Sequence, residues 1–376
     1  MSQENQQESS ETIVRDERLD FVKAISISLV LIGHLKPIII LSLQTPYAFI
    51  KITHSILSQL FVNSILIAVP LFILTSLFLL FQKLQTSGYQ SFFKRCKCLL
   101  EIFIFWSLFQ ILIYYSISLL GARSLNTVFP WYVPNFEVRR LFIEDEEFKF
   151  LINLVGFPVL YFLSILIVLT ILSYIFYIFI DKQNIKFKNY VCVGIIILFA
   201  AYFEILNLTA RGISYLQLTN FLIYIPIAYL QVQKGIRINS RYNLFLYVCF
   251  LVFGIQDIFL IQMGYNIGYY SRVSIICGAL AVFSSCLNLK HWKASKSVKF
   301  LSRFSLGIFA IHRYWQFIVY IAVFNLSQAM GFLIEISDLN ISIVNMLNIF
   351  VALVTTLFTF GTVQLLNRSP FKRFIK

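Results

Sequence analysis

A histidine, His34, lies about two thirds of the way along the first hydrophobic segment of the chain. An ionisable side chain inside a bilayer costs roughly 2.5–3.5 kcal/mol on insertion scales, so one that is retained there is a candidate for function. Lys23 precedes it by eleven residues, which on a helix places both within about 20° of one face and some 16 Å apart along the axis. Asp20 lies on the same side and can pair with Lys23. The pattern indicates a charged pair at the mouth of a path that leads to a histidine deeper in the membrane.

A second pair of ionisable residues, His312 and Arg313, lies inside a late hydrophobic segment, seven residues after Ser305 and on nearly its face. Two adjacent ionisable groups within a span avoid lipid. Each of these residues also has a structural interpretation. A histidine can simply bond a neighbouring helix, and a lysine at the interface can extend its ammonium into water.

The composition indicates the kind of element that must position these residues. The chain has 376 residues, of which 59% are hydrophobic and 13% charged, with 40 Phe and 20 Tyr, far from the profile of a soluble domain. The net charge of +14 is spread over short segments between apolar runs, without the continuous basic face that nucleic acid requires. We predict an all-α polytopic membrane helix bundle that does not bind nucleic acid.

About ten segments are long enough to span a bilayer. Lys and Arg concentrate in alternate connecting segments, so the positive-inside rule places both the N- and C-termini in the cytosol. The predicted spans are approximately 21–41, 63–82, 98–120, 157–180, 190–208, 213–231, 243–263, 267–287, 304–326 and 341–365.

We divide the chain into a disordered cytosolic tail at 1–17, a membrane domain at 18–366 and a basic cytosolic tail at 367–376. The one sizeable outer loop, 121–156, combines aromatic and charged residues. That composition suits either a lid over a sugar or lipid headgroup, or an interfacial segment. The cellular location predicted is the inner or plasma membrane, which the chain crosses many times.

Two further groups of residues suggest structure rather than chemistry. Cys96-Lys97-Cys98 is an isolated pair of cysteines, too little to predict a metal site, and we predict none. Asp257 and Arg272 fall in consecutive antiparallel spans and can form a structural ion pair within the membrane.

The first helix resembles that of the membrane acyltransferase 3 family, which reads Arg-x-Asp-x-x-Arg-x-x-Ala and then an apolar run that ends in His. Arg18, Asp20, Lys23, Ala24 and His34 stand at those places, with Lys23 replacing the second Arg.

Three other stretches resemble the family in the expected order. Tyr89–Lys97 leading to Phe105-Trp106-Ser107 resembles the basic start of its third helix. Leu160–Leu163 resembles the His-Leu-Trp-Phe-Leu motif, with Val159 and Tyr161 in place of His and Trp. Leu301–His312 resembles the late Ser-x-Gly-Ile-Tyr-x-x-His segment.

This resemblance implies an enzyme that transfers an acyl group, acetyl by default, from cytosolic acyl-CoA to a hydroxyl of an extracytoplasmic glycan or lipid-linked sugar. No cofactor is held permanently, and enzymes of glycan biosynthesis are possible partners. His34 would be the general base, since histidine titrates near neutral pH. A mechanism through a transient acyl-histidine is a chemical alternative. The catalytic residues implied are His34, Lys23 and Asp20. The donor-binding residues are Arg18, Arg95, Lys94 and Lys97, and His312, Arg313, Ser305 and Trp106 are further candidates.

Two other functions fit a many-helix membrane protein. A glycan or metabolite transporter is compatible with buried charges, but we find no inverted repeat or paired broken helices of the kind transporters often have. A polysaccharide polymerase or ligase would use arginines in a large outer loop. The loop at 121–156, with Arg139 and Arg140, has such arginines but is smaller.

Overall fold

The computed structural model describes residues 16–35, 48–119, 158–214, 217–233, 239–289, 292–329 and 341–376. Within these ranges every regular element is a helix, which confirms the all-α prediction. The predicted outer loop at 121–156 and most of the N-terminal tail lie outside them. The helices are α1 (Glu17–Leu35), α2 (Ala48–Leu66), α3 (Ala68–Leu119), α4 (Pro158–Asp181), α5 (Ile185–Leu208), α6 (Thr219–Leu222), α7 (Tyr224–Gln233), α8 (Ser240–Gln262), α9 (Val273–Leu287), α10 (Lys296–Arg303), α11 (Ser305–Ala329) and α12 (Ile341–Asn367), followed by a 3₁₀ turn at Pro370–Phe374.

Five stretches of the described chain are long and apolar enough to cross a membrane: Ile56–Gln110, Tyr161–Asp181, Ile185–Leu208, Ser240–Gln262 and Asn345–Asn367. They confirm a membrane helix protein. The count of about ten spans, and the side of the membrane on which each end lies, remain predictions.

The first of these stretches folds back on itself. Gly88 has φ 58° and ψ −145° inside α3, a conformation that glycine reaches without a Cβ penalty. The guanidinium of Arg95 bonds the hydroxyl of Ser76. Nineteen residues of unbroken helix would separate the two positions by about 28 Å, so the chain must reverse between them. The two legs of α3 correspond to the second and third predicted spans.

Within the predicted sixth span, 213–231, the helical hydrogen-bond pattern breaks at Ile223, although the backbone there keeps helical angles of φ −58° and ψ −27°. The structure has α6, of 4 residues, and α7, of 10 residues, on either side of Ile223. Pro226 is the physical reason, because it has no N–H to donate to the carbonyl of Leu222 and its ring crowds that carbonyl. Together α6, Ile223 and α7 extend about 22 Å, and whether this segment spans the membrane stays a prediction.

The start of α1 is bonded to the end of α9 and to α10. Arg18 donates to the carbonyl of Leu287 at 2.8 Å and forms an ion pair with Asp16 at 2.7 Å. Burial raises the pKa of the Asp16 carboxyl, but hydrogen bonds from Arg18 outweigh it and hold that pKa below its ordinary value. Glu17 pairs with Lys299 at 2.6 Å, and this bond lowers the pKa of the Glu17 carboxyl.

The segment predicted as a basic tail packs against the bundle. The 3₁₀ turn Pro370–Phe374 stacks Phe374 on Phe105, with ring centroids 4.2 Å apart and planes 3° apart. Ile375, which follows, is fully buried. Its carbonyl accepts a hydrogen bond from the backbone N–H of Gly307 at 3.3 Å. Residues 370–375 therefore join the second leg of α3 to the first turn of α11.

Glycine at position 307 is required by this contact. A Cβ added there would lie 2.8 Å from the Cβ of Ile375, closer than packed carbon atoms approach. We expect Gly307→Ala to displace residues 370–375 and to lower the midpoint of thermal unfolding in detergent. Gly361→Ala in α12 is the matched control, because nothing lies within 4 Å of its added Cβ and alanine is the better helix former by about 1 kcal/mol. Equal midpoints for the two variants would contradict the packing role of Gly307.

Candidate active site

The site is built on α1 and α11, whose relative position is fixed through α10. Ser302, near the end of α10, donates its hydroxyl to the carboxylate of Asp20 at 2.6 Å, and both side chains are buried. The helix breaks at Phe304 and α11 begins at Ser305. His312 follows two turns later, on the side that faces α1.

The two histidines predicted separately are in contact. Nδ1 of His34 lies 2.8 Å from Nε2 of His312, and the two rings stack with their centroids 5.0 Å apart and their planes 14° apart. Their positions are 278 residues apart in sequence. His312 is fully buried, whereas His34 is partly accessible.

Two phenylalanine side chains pack beside the histidine pair. The ring of Phe309 lies 6.3 Å from that of His34 and 6.1 Å from that of His312. Phe162 of α4 packs edge-on against Phe309 at 5.6 Å. These rings place apolar surface beside the imidazoles, and a low local dielectric constant strengthens the hydrogen bond between them.

A second contact holds the end of α1 against α11. The backbone carbonyl of His34 lies in the last described turn of α1. Gln316, one turn after His312, donates to this carbonyl at 3.1 Å. Arg313 in turn donates to the side-chain oxygen of Gln316 at 2.9 Å, which fixes the amide so that its nitrogen points to α1. Sequence reasoning missed Gln316, although its spacing of four residues from His312 was a usable signal.

The remaining predicted residues of α1 lie far along the same helix. Because α1 is continuous, Asp20 stands about 21 Å and Lys23 about 16 Å from His34 along the axis. The structure therefore does not bring Asp20 or Arg18 to the histidine pair. Asp20 instead bonds Ser302 of α10, and Arg18 bonds the last residue of α9. Lys23 is partly buried on α1.

Arg95 is a partly buried arginine with neutral partners. Its guanidinium bonds the hydroxyls of Ser76 and Thr170, the latter at 3.4 Å. Within the described chain no carboxylate forms an ion pair with it. Lys94 and Lys97, on the same leg of α3, are exposed. A guanidinium without a carboxylate can accept an anionic ligand without giving up a strong partner.

Comparison with known protein families decides what these helices belong to. The family Acyl_transf_3, described as an acyltransferase domain, matches residues 16–367. The chain belongs to the acyltransferase 3 family. The match contains α1 to α12 and thus both histidines of the pair. Searches among curated proteins and among solved structures found no match.

Two other candidates in this acyltransferase domain have packing roles. The indole N–H of Trp106, 2% exposed, donates to the carbonyl of Phe374 at 3.0 Å, so Trp106 holds the 3₁₀ turn. Ser305 is buried at the start of α11. Neither side chain is joined to the histidine pair by a hydrogen bond that the structure describes.

A separate buried polar cluster surrounds Arg272 and Asp257 of the acyltransferase domain. Arg272 donates to the carbonyl of Gly268 at 2.6 Å and to the side chain of Asn63 at 3.0 Å. Asp257 accepts a hydrogen bond of 2.5 Å from Ser274. Both charged groups are thus bonded to neutral partners, and the cluster joins α2, α8 and α9.

Proposed function

We propose that this acyltransferase is a multi-pass enzyme of the inner or plasma membrane that moves an acyl group, acetyl by default, from acyl-CoA to a hydroxyl. The acceptor proposed is an extracytoplasmic glycan or a lipid-linked sugar. Family membership supports acyl transfer. The donor, the acceptor and the direction across the membrane are parts of the proposal.

The observation that carries the proposal is the contact between His34 and His312 at 2.8 Å within the helix bundle. An imidazole held by a second imidazole is suited to general base catalysis. The acceptor oxygen forms a bond to the acyl carbon and the carbon–sulfur bond of the thioester breaks. The hydroxyl proton passes to His34 and then to the departing thiolate, so the products are an ester and free CoA.

The basic residues at the start of the first and third spans support a donor with phosphate groups. In our proposal Arg95 binds a phosphate of CoA, Lys94 and Lys97 add positive charge, and Lys23 lies beside the donor on the stripe that leads to His34. The separation of about 16 Å between Lys23 and His34 requires a donor that is long and narrow at its reactive end, as acyl-CoA is. An acyl phosphate would not reach from one to the other.

The test uses membranes from cells that produce the full chain and matched membranes from cells that lack it. Acyl-CoA labelled in the acyl group is added, and label in ester linkage to glycan or lipid-linked sugar is measured by mass spectrometry, together with release of free CoA. We expect both in the first membranes and neither in the second. Loss of glycan amount or chain length without loss of an ester would instead favour a transporter or a polymerase.

A further inference from the structure

We infer that His312 is a positioning residue that fixes the tautomer of His34, so that Nε2 of His34 is the atom that receives the proton of the acceptor hydroxyl. This inference rests on the proposed function for its chemical meaning. Its structural core, the tautomer of each ring, is independent of any reaction. Two hydrogen bonds, one at each ring nitrogen of His312, determine both tautomers.

The first bond determines the tautomer of His312. Its Nδ1 lies 3.1 Å from the backbone carbonyl oxygen of Ile308. A carbonyl oxygen can only accept a hydrogen bond, so Nδ1 must carry the hydrogen and donate. In a neutral imidazole one ring nitrogen donates and the other accepts. Nε2 of His312 therefore carries the lone pair.

The second bond determines the tautomer of His34. Nε2 of His312 faces Nδ1 of His34 at 2.8 Å, and since the first is an acceptor, the second must be the donor. Nδ1 of His34 thus carries the hydrogen and its Nε2 carries the lone pair. The opposite arrangement would place two lone pairs against each other, either at Ile308 or between the two rings.

The neutral partner suits a site within a membrane. In serine hydrolases a carboxylate accepts a hydrogen bond from the histidine base and orients it. When that carboxylate is replaced by an amide, the histidine adopts the wrong tautomer and turnover falls by about 10⁴-fold. A buried carboxylate needs partners that compensate its charge in low dielectric, whereas a buried neutral imidazole needs only hydrogen bonds. Once His34 is protonated, its Nδ1–H bond to His312 becomes a charge-assisted hydrogen bond, which is shorter and stronger.

The contacts around His34 limit how the base can move. Gln316 holds the backbone of His34 while His312 holds its ring, so both the position and the rotation of the imidazole are fixed by one face of α11. Preorganisation of this kind matters because a displacement of about 1 Å can cost about 10²-fold in rate. His312 itself need not touch the substrate.

The direct test is nitrogen-15 magnetic resonance of the full-length protein in bilayers, with labelled histidine. The chain has four histidines, and His34→Gln identifies the His34 signals by difference. We expect the wild-type His34 signals of a ring protonated at Nδ1 and unprotonated at Nε2. A ring protonated at Nε2 would overturn the inference, even if acyl transfer is confirmed. The measurement needs no substrate, so it also stands if the proposed reaction proves wrong.

The kinetic test compares His312→Gln with His312→Leu. The side-chain oxygen of glutamine can accept from Nδ1 of His34, whereas leucine cannot. We expect His312→Leu to lose at least about 10²-fold in kcat with KM for acyl-CoA changed less than about threefold, and His312→Gln to retain kcat within about tenfold of wild type. If His312 had a purely structural role, both variants would lose folded protein. Their kcat values per folded molecule would then be the same. Equal kcat for the two variants would overturn the positioning role.

Discussion

Replacing His34 by alanine is expected to reduce acyl transfer by about 10²–10⁴-fold, the contribution that a general base makes. The side chain is partly accessible and its ring contacts the ring of His312, so its removal should leave most of the fold intact. The decrease in activity should appear in kcat, because the imidazole acts in the proton-transfer step and does not bind the phosphates of the donor. Ester formation and CoA release by purified protein in nanodiscs provide the measurement.

Two further variants make this result interpretable. His34→Gln can still donate toward His312 but has no basic nitrogen, so we expect it to be as inactive as His34→Ala. His291→Ala removes a histidine that the sequence places outside the spans, and its activity should equal that of wild type. The role of His34 as the base is wrong if His34→Gln keeps activity within about tenfold of wild type at equal folded protein.

Replacing Arg95 by glutamine is expected to raise KM for acyl-CoA by about 10–100-fold while kcat changes little. A hydrogen bond to a charged group contributes about 1.5–3 kcal/mol, and each 1.4 kcal/mol is a factor of ten in affinity. The hydrogen-bond partners of Arg95 are the neutral hydroxyls of Ser76 and Thr170. A phosphate that binds the guanidinium therefore does not have to displace a carboxylate. Initial rates over a range of acyl-CoA concentrations separate KM from kcat.

The controls for Arg95 lie beside it on the same leg of α3. Lys94→Gln removes an exposed charge, and we expect a change in KM of less than about threefold because exposed charges are screened by salt and water. Arg95→Lys keeps the charge but loses the planar fork, so its KM should fall between those of wild type and Arg95→Gln. Unchanged KM in Arg95→Gln, with only a lower unfolding temperature, would assign Arg95 to the packing of α3 against α4.

Hydrophobic runs and charge distribution in the sequence were enough to predict an all-helical membrane protein, and the order of motifs was enough to predict the acyltransferase 3 family. Helical geometry also predicted correctly that Lys23 and His34 share a continuous helix. The signal was strong because a bilayer demands long apolar helices and penalises each ionisable residue within them.

The pairing of His34 with His312 was not predictable from one sequence. Contacts between residues 278 positions apart depend on which helices become neighbours, and apolar helices carry little information on their partners. The break at Ile223 was visible as Pro226, but a proline inside a span is often tolerated. The roles of Asp20, Arg18 and Trp106 in packing depend on backbone carbonyls and hydroxyls brought close by the fold.

The contact of residues 370–375 with Gly307 and Trp106 has a consequence for how the protein is made. Trp106 and its partner carbonyl are separated by 268 residues. A ribosome adds about 5–20 residues per second, so α3 waits at least ten seconds or so for that partner to be translated. During this interval the ring of Phe105 lacks its stacking partner Phe374, and the indole N–H of Trp106 lacks its acceptor. These contacts of α3 therefore form late, and a chain truncated before Pro370 leaves the rings of Phe105 and Trp106 without the partners that they have in the folded protein.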